Sequence, residues 1–318
     1  MKGASLKYLV TGCTLLNDIN FADGSKAEGF LGGTIYTVNG IKPFSDEVLF
    51  VTTAGADFEE HFGDYYRRNK LSTQGVEFVL PKTQYNTLEY AADGRWWEYS
   101  KYGKDFEKEW GPKAIIQASY ITKHSSDQTS GIYFESSVEE PVWKNLVDIR
   151  KAAPNAKIMW EIPTFDIDNP KVKNDIKALI DKCDIYSLNL PESMTYFDTK
   201  SEEESIEAII ALGKPCFFRV GIKGAYMIVN EEAWFAPSIG SDKSVDPTGC
   251  GNCSTGTAMY GYCEGLHPLK TVILANLAAS LNVLQFGPYP LFTNELRTEL
   301  FEKAEVEYLR LTEMNNVS

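Results

Sequence analysis

Short apolar runs alternate with amphipathic stretches along most of this chain. The runs at 7–12, 47–53, 114–118, 156–161, 184–189 and 216–221 are rich in β-branched and aromatic residues and predict strands. Apolar residues recur at helical spacing over 58–70, 142–151 and 172–181, which predicts helices between them. Alternating strands and helices predict a mostly parallel sheet covered by helices.

Two segments interrupt this alternation. The segment 14–31 contains an Asp23-Gly24 turn, and the segment 83–100 is predicted to form a hairpin around Asp93-Gly94. Small extra strands of this kind either cover a site in an α/β enzyme or decorate the edge of a sheet. Both interpretations remain open from local sequence.

The last third of the chain follows a different pattern. A strand pair is predicted at 225–229 and 233–236, followed by helices at 251–264, 268–286 and 294–314. Apolar residues at helical spacing in the last helix indicate packing against the core.

Composition narrows the class of protein. The 318 residues are 43% hydrophobic and 24% charged, as expected for a globular protein with a sizeable core. The net charge of -13 repels nucleic acid phosphates, so we expect no nucleic acid partner. No apolar stretch approaches the ~20 residues of a membrane helix, so we expect no membrane partner. Six cysteines without a dense framework fit a reducing compartment, and a cytoplasmic protein is expected.

The segment 246–252 (Asp-Pro-Thr-Gly-Cys-Gly-Asn) carries the clearest chemistry. Its glycines allow a tight turn, and the helix that follows directs unpaired N–H groups at an anion above the turn. A structural helix start would look similar. A dinucleotide fingerprint fits less well, because it needs an acidic residue ~20 residues on, and Glu264 is much nearer.

Cys250 and Cys253 form a C-x-x-C pair at the same helix start. A redox pair is the alternative interpretation, since helix N-termini lower thiol pKa values. Zinc would need two further ligands, and no second such pair exists in the sequence.

The segment 246–252 resembles the second signature of the ribokinase/PfkB carbohydrate kinases, Asp-x-x-Gly-Ala-Gly-Asp. Further resemblances follow in family order along most of the chain. These are Asp18 at an acidic substrate position, the paired glycines Gly32-Gly33, Ala-Gly-Ala-Asp at 54–57, Asn189-Leu-Pro-Glu192 for Asn-x-x-Glu, and 219–225 for the Thr-x-Gly-x-x-Gly segment.

This resemblance implies a ribokinase-like α/β fold, with a three-layer α/β/α arrangement over a single domain, 1–318. The lid strands would lie within about 14–31 and 83–100. It also implies transfer of phosphate from ATP, with Mg²⁺, to a hydroxyl of a sugar or sugar-like acceptor. The aromatic hairpin with Trp96, Trp97 and Tyr99 would pair lids across a homodimer or cover its own site.

The resemblance also implies roles for individual residues. Gly249, Cys250 and Gly251 would supply N–H groups to the transferring phosphate, and Asn252 would orient the acceptor hydroxyl. Asn189 and Glu192 would place Mg²⁺, and Asp246 would support a monovalent cation such as K⁺. The remaining roles concern the two substrates: Arg219, Gly221, Lys223, Gly224, Asn276 and Asn189 would lie by the nucleotide, and Asp18, Gly32, Gly33 and Thr37 by the acceptor.

Three positions depart from the family pattern. Asn252 stands where the family has its catalytic Asp, and an amide cannot accept the hydroxyl proton. Another carboxylate, such as Asp18 or Asp246, would have to serve, or the protein is a catalytically silent sugar- or nucleotide-binding relative. Thr37 replaces an Asn of the acceptor site. Arg219 replaces a Thr near the phosphates, either gripping phosphate or forming a surface salt bridge.

Overall fold

The computed structural model describes residues 6–92, 95–240 and 244–315. The strands among them are β1 (Tyr8–Asn20), β2 (Lys26–Gly33), β3 (Val48–Gly55), β4 (Val76–Leu80), β5 (Gln84–Tyr90), β6 (Trp96–Ser100), β7 (Gly131–Phe134), β8 (Lys157–Glu161), β9 (Ile185–Asn189), β10 (Cys216–Arg219), β11 (Gly224–Val229) and β12 (Glu232–Pro237).

The helices among these residues cover both faces of the sheet. They are α1 (Ile35–Ile41), α2 (Phe58–Arg68), α3 (Gly103–Ala114), α4 (Ala118–Thr122), α5 (Leu146–Ala152), α6 (Thr164–Ile167), α7 (Lys173–Ile180), α8 (Leu190–Phe197), α9 (Glu202–Leu212), α10 (Cys250–Cys263), α11 (Pro268–Asn282) and α12 (Asn294–Asn315). In the described part of the chain, none is long and apolar enough to cross a membrane.

The main sheet has the order β12-β11-β10-β9-β8-β7-β1-β3-β4. Neighbouring strands from β10 to β4 are parallel, and β11 and β12 add an antiparallel edge. Strand residues alternate between two apolar clusters: Tyr8 and Val10 face one layer of helices, whereas Leu9 faces the other. The predicted helix-covered, mostly parallel sheet is therefore confirmed.

The lid is a second sheet, and it shares strand β1 with the main sheet. The far half of β1 pairs antiparallel with β2 and parallel with β5, and β5 pairs antiparallel with β6. A turn at Asp23-Gly24 joins β1 to β2, as predicted, and Gly24 takes the left-handed conformation with φ of 86°. The Asp93-Gly94 turn lies outside the described residues, but the strands on either side of it pair as the hairpin prediction requires.

The predicted strand at 114–118 is wrong. This segment joins the end of α3 to the start of α4, and its apolar Ile116 is buried in the irregular link between the two helices. The strand at this point of the sheet is β7, which the sequence interpretation missed. All four residues of β7 are buried, so the run shows no polar alternation.

Candidate active site

Four neighbouring parallel strands end in polar side chains on one edge of the main sheet. Glu161, Asn189 and Arg219 are the last residues of β8, β9 and β10, and Glu135 directly follows β7. The carboxyl edge is where open α/β sheets bind their ligands. The first turn of α10 and the inner face of the lid approach the same edge.

The turn before α10 is built around two close approaches. Gly249 caps the helix with φ of 77°, and a Cβ atom there would lie 2.2 Å from the Tyr36 ring. A Cβ atom on Gly251 would lie 2.2 Å from the Arg219 guanidinium. Gly249 is therefore required both for its backbone conformation and for the space beside Tyr36. Gly251 is required only for the space beside Arg219.

The backbone N–H groups of this turn are not all free. Cys250 donates its N–H to the Pro247 carbonyl at 3.1 Å, so the N–H predicted to face the phosphate already has an acceptor. Within the described residues, the N–H groups of Gly251 and Asn252 have no acceptor. Two unpaired donors at the start of a 14-residue helix are typical of sites that bind anions, and the segment 249–252 is therefore named the anion-binding turn.

Arg219 lies between two buried carboxylates, with 13% of its own side chain exposed. Its guanidinium forms an ion pair with Glu161 and lies 3.7 Å from the Glu192 carboxylate. Burial lowers the pKa of Arg219, but the two carboxylates outweigh it and raise that pKa above its usual value. The side chain therefore places a permanent cation beside the first turn of α10. It does not form a surface salt bridge.

Asn189 and Glu192 hold each other in a capping box at the start of α8. Asn189 accepts from the Glu192 N–H at 3.0 Å, and Glu192 accepts from the Asn189 N–H at 2.7 Å. The Thr164 hydroxyl donates to the second Glu192 oxygen at 2.8 Å. Burial raises the pKa of Glu192, and Arg219 opposes that rise.

Asp246 is buried below the anion-binding turn. One of its oxygens accepts from both the backbone N–H and the hydroxyl of Thr248, at 2.9 and 2.6 Å. The other oxygen is buried without a partner, and burial raises the pKa of Asp246. The lid reaches this turn through Tyr90, whose hydroxyl lies 2.9 Å from that of Thr248.

Glu135 lies directly against the residue that stands at the family's catalytic Asp position. The Asn252 amide donates to both Glu135 oxygens at 3.2 Å, and the Thr34 hydroxyl donates to one of them at 2.7 Å. Burial raises the pKa of Glu135 to about 7, and the Glu161 carboxylate adds to the rise. The Thr34 and Asn252 hydrogen bonds oppose it.

The paired glycines adjoin Asn17. A Cβ atom on Gly32 would lie 2.2 Å from the Asn17 amide nitrogen. Gly33 has φ of 77°, and a Cβ atom there would lie 2.4 Å from the Cys13 carbonyl oxygen. Asn17 is buried, and its side-chain oxygen has no partner. Backbone and an unpaired amide oxygen therefore meet at the base of the lid.

Asp18 points to the opposite face of β1. Its carboxylate accepts from Lys101 at 2.6 Å, Tyr85 at 2.7 Å and the Gly29 N–H at 3.1 Å. Burial raises the pKa of Asp18, but the Lys101 and Tyr85 hydrogen bonds outweigh it and lower that pKa. These partners leave Asn17, the residue before it, on the face of the paired glycines.

Thr37 is fully buried in α1. Its carbonyl and methyl group pack against Gly256 of α10, where a Cβ atom would lie 2.4 Å from that carbonyl. Thr37 therefore stands at a helix–helix contact. Its hydroxyl is buried without a partner, and its contact with an acceptor stays a prediction.

The residues assigned to the nucleotide gather around the β10–β11 turn. Gly221 and Gly224 have φ of 64° and 136°, and Lys223 is exposed with its amine 2.8 Å from Glu202. The Asn276 amide donates to the carbonyls of Ala236 and Pro237 at 2.9 Å each. Asn276 therefore ties α11 to the end of β12, next to this turn.

The C-x-x-C pair lacks the properties of a redox site. Burial raises the pKa of Cys250 to about 11 and that of Cys253 well above its usual value. Reactive thiols need the opposite shift. The two cysteines pack as small residues in the first turn of α10.

Sequence reasoning missed Glu135 and Asn17. Glu135 follows the short apolar run of β7, and its position would have been visible had that run been recognised as a strand. Asn17 precedes the acidic Asp18, and only the alternation of side chains along β1 places the two on opposite faces.

Comparisons with known proteins identify the family and the fold. A family model described as pfkB family carbohydrate kinase matches residues 27–294. An adenosine kinase from Sinorhizobium meliloti has a TM-score of 0.73 at 18% identity, covering 94% of this chain and 100% of that one. No curated protein sequence matches the chain.

Two further solved structures show what similar folds hold. A Burkholderia thailandensis nucleoside kinase in complex with inosine has a TM-score of 0.70 at 16% identity, covering 95% of this chain and 98% of that one. An E. coli protein assigned as a ribokinase II, in complex with ATP and Mg²⁺, has a TM-score of 0.71 at 18% identity, with coverage of 93% and 99%. The ribokinase-like fold predicted from the sequence is confirmed.

Proposed function

The chain belongs to the pfkB family of carbohydrate kinases, and from that premise we propose that it transfers the γ-phosphoryl group of ATP to a hydroxyl of a sugar or sugar-like small molecule. Phosphoryl transfer depends mainly on positioning and on stabilising charge around the transferred group. The anion-binding turn is the observation that carries the proposal. Two unpaired N–H groups, a helix N-terminus and the Arg219 cation meet there.

The nucleotide is proposed to lie along the β10–β11 turn. Gly221 and Gly224 keep side chains away from the backbone there, and Lys223 offers an exposed cation. The E. coli relative that holds ATP and Mg²⁺ has the same fold, which supports this assignment. Asn276 would act by fixing the end of β12 beside the nucleotide.

Mg²⁺ fits this site as an ion shared with phosphates and water. In the described part of the chain, no three His, Cys, Asp or Glu side chains are grouped to hold a metal alone. Mg²⁺ is commonly bound through one or two carboxylates plus substrate phosphates. Asn189 and Glu192 would hold its waters, and the bound ion would neutralise phosphate charge.

A monovalent cation such as K⁺ would fit below the anion-binding turn. The second oxygen of Asp246 is buried and has no partner, which leaves an acceptor for a cation. An ion there would support the backbone of the turn from below. Asp246 is also only two residues from Thr248, which the lid contacts through Tyr90.

The acceptor is proposed to lie between the paired glycines and Asn252. Gly32 and Gly33 expose backbone to it, and the unpaired Asn17 oxygen can accept from a hydroxyl. A contact through Asp18 would require it to leave Lys101. Because one relative is an adenosine kinase and another binds inosine, nucleosides belong among the acceptors to be tested.

A catalytically silent binding protein is the second candidate function. Asn252 favours it, because the amide cannot take a proton from the acceptor. The two candidates share the fold and the ATP site, and they differ in turnover.

A homodimer through the lid and a cytoplasmic location remain predictions. Trp97 and Tyr99 of β6 are 54% and 49% exposed, which leaves aromatic surface available for a second lid.

The decisive experiment measures ATP binding and ADP release separately. MgATP should raise the melting temperature by several degrees, since ligands that bind only the folded state stabilise it. ADP release should then increase with one acceptor among D-ribose, D-fructose, adenosine and inosine. ATP binding without turnover by either the wild type or Asn252→Asp would support the binding protein. No effect of MgATP on melting would contradict the nucleotide site itself.

A further inference from the structure

Glu135 occupies the place where a proton acceptor is needed. It follows β7 at the carboxyl edge of the sheet, and its carboxylate touches the side chain at position 252 from below α10. The residue as a whole is only partly buried, and its contact with Asn252 places it beside the anion-binding turn.

The contacts to Glu135 leave one oxygen able to accept a proton. One oxygen accepts from both Thr34 and Asn252, whereas the other accepts from Asn252 alone. Both donors are neutral, so no cation holds the carboxylate in its ionised form through these contacts. A carboxylate oxygen has room for two hydrogen bonds, so an acceptor hydroxyl can add to the second oxygen.

Asn252 and Glu135 form a matched pair. An Asp at position 252 would place a second carboxylate about 3 Å from Glu135, and two carboxylates at that distance cannot both ionise. An amide at position 252 instead donates to Glu135 and keeps its carboxylate oriented. The amide at the family's Asp position and the carboxylate on β7 are therefore complementary.

We propose that Glu135 is the general base of this protein and that Asn252 positions it. The proposal rests on the proposed kinase function. The acceptor oxygen bonds to the γ-phosphorus as the bond from that phosphorus to the bridging oxygen of ADP breaks. The hydroxyl proton passes to the Glu135 carboxylate, which later releases it to water. ADP and the phosphorylated acceptor leave.

The electrostatic surroundings suit this role. A general base works best when its pKa lies near the working pH, and burial raises the pKa of Glu135 to about 7. The ionisable groups that face Glu135 come from several elements. They are Glu161 of β8, Glu98 of the lid, Cys13 of β1, Tyr133 of β7 and, beyond Tyr133, Arg219 of β10.

The test compares Glu135→Gln with the exchanged pair Glu135→Gln/Asn252→Asp. ADP release is measured with MgATP and D-ribose, D-fructose, adenosine or inosine, and also with water as the acceptor. Removal of a general base typically costs ~10²–10⁴-fold in rate. Glu135→Gln should therefore lower kcat at least about 100-fold with little change in KM. The exchanged pair should recover at least about tenfold, because it returns a carboxylate to the same contact.

The pH profile separates a base from a structural residue. Wild-type kcat should fall below an apparent pKa of about 7, as expected for a base with the pKa of Glu135. In the Glu135→Gln/Asn252→Asp variant, the apparent pKa at which kcat falls should change. Glu140→Gln is the matched control, because Glu140 is also a glutamate with a raised pKa after β7 but accepts from Ser137. It should leave kcat and the profile unchanged.

The outcomes separate this proposal from the kinase function. Equal kcat and the same pH limb in wild type and Glu135→Gln would overturn Glu135 as base and leave the kinase function standing. An Asn252→Asp protein that gains activity independently of Glu135 would also overturn it. ATP binding without any ADP release from the wild type would contradict both proposals.

Discussion

Glu192 and Glu135 stand on the same edge of the sheet but in opposite surroundings. Glu192 belongs to the nucleotide-side cluster of Arg219, Glu161, Asn189 and Thr164. There the Arg219 cation, a hydroxyl and a backbone N–H surround the Glu192 carboxylate, while one oxygen of Glu161 is buried without a partner. Glu135 belongs to the acceptor-side pair with Asn252, where both donors to the carboxylate are neutral.

The comparison shows how one edge can serve two tasks. In the nucleotide-side cluster an ion pair and a capping box fix the side chains in place, as suits the placing of a phosphate. The acceptor-side pair leaves a carboxylate uncompensated and an Asn17 oxygen without a partner, as suits a group that must exchange protons and hydrogen bonds.

Removing the buried cation should have the largest effect. Arg219→Leu keeps much of the volume but leaves Glu161 and Glu192 buried without their partner. Breaking a buried ion pair in this way typically costs about 3–5 kcal/mol. Urea unfolding should show a loss in this range. Lys223→Leu is the control: its pair with Glu202 is largely exposed on the lysine side and should cost less than about 1 kcal/mol.

Introducing a side chain into the anion-binding turn should have the second-largest effect. Gly249→Ala forces a Cβ atom into the left-handed region and against the Tyr36 ring, and backbone strain alone costs about 1–3 kcal/mol. The melting shift caused by MgATP should also disappear.

Gly213→Ala tests the effect of backbone strain at a position away from the anion-binding turn. Gly213 has φ of 71° at the end of α9, and a Cβ atom there would meet nothing within 4 Å. This variant should lose stability but keep the full MgATP shift. Loss of the shift in both variants would show that strain, and not the turn, controls binding.

Stability should depend on pH through Glu135. Its pKa rises from 4.5 in the unfolded chain to about 7 in the folded one, so the folded state binds the proton more tightly. Relative to Glu135→Gln, the wild type should therefore lose stability as pH rises from about 5 to about 7, by on the order of 2 kcal/mol. Urea unfolding of both proteins at pH 5 and pH 8 measures this difference.

An exposed neighbour provides the control for that experiment. Glu139→Gln removes an exposed carboxylate four residues further along and measures the effect of losing one surface charge at the same two pH values. A Glu135→Gln difference that stays flat, or increases in favour of the wild type at high pH, would contradict a raised pKa at Glu135.

The smallest effects should separate the two faces of β1. Asn17→Ala removes a possible hydrogen bond to the acceptor and should raise the acceptor KM roughly tenfold, the usual size of one such contact. Asp18→Asn weakens only the contact with Lys101 and should change stability by less than about 1 kcal/mol, with KM unchanged. The reverse pattern would assign the acceptor to Asp18.

Local sequence was most informative where the pattern was repeated or required glycine. The mostly parallel sheet followed from the repeated alternation of strands and helices, and the anion-binding turn from two glycines ahead of a helix. Both lid hairpins followed from Asp-Gly turns between β-rich runs. These features depend on backbone conformation and on periodicity, which neighbouring residues largely determine.

The errors share a different cause. The run at 114–118 and β7 are both short and apolar, and burial by distant residues decides which of them becomes a strand. Asp18 has the acidic side chain expected at a substrate position, but the pairing of β1 in the lid directs Asn17, and not Asp18, toward Gly32. The sequence left open whether Arg219 is a surface residue. In the structure, residues at the ends of neighbouring strands place carboxylates around it.

The sequence by itself determined the fold class, the kinase family and the turn at 246–252, because these depend on local motifs and their order. It also showed that Asn252 lacks the basicity expected at its position. Only the tertiary structure decided what stands beside that amide, since Glu135 and Asn252 are 117 residues apart in the chain. Packing α10 against the end of β7 brings them together, and that contact places a carboxylate where the motif lacks one.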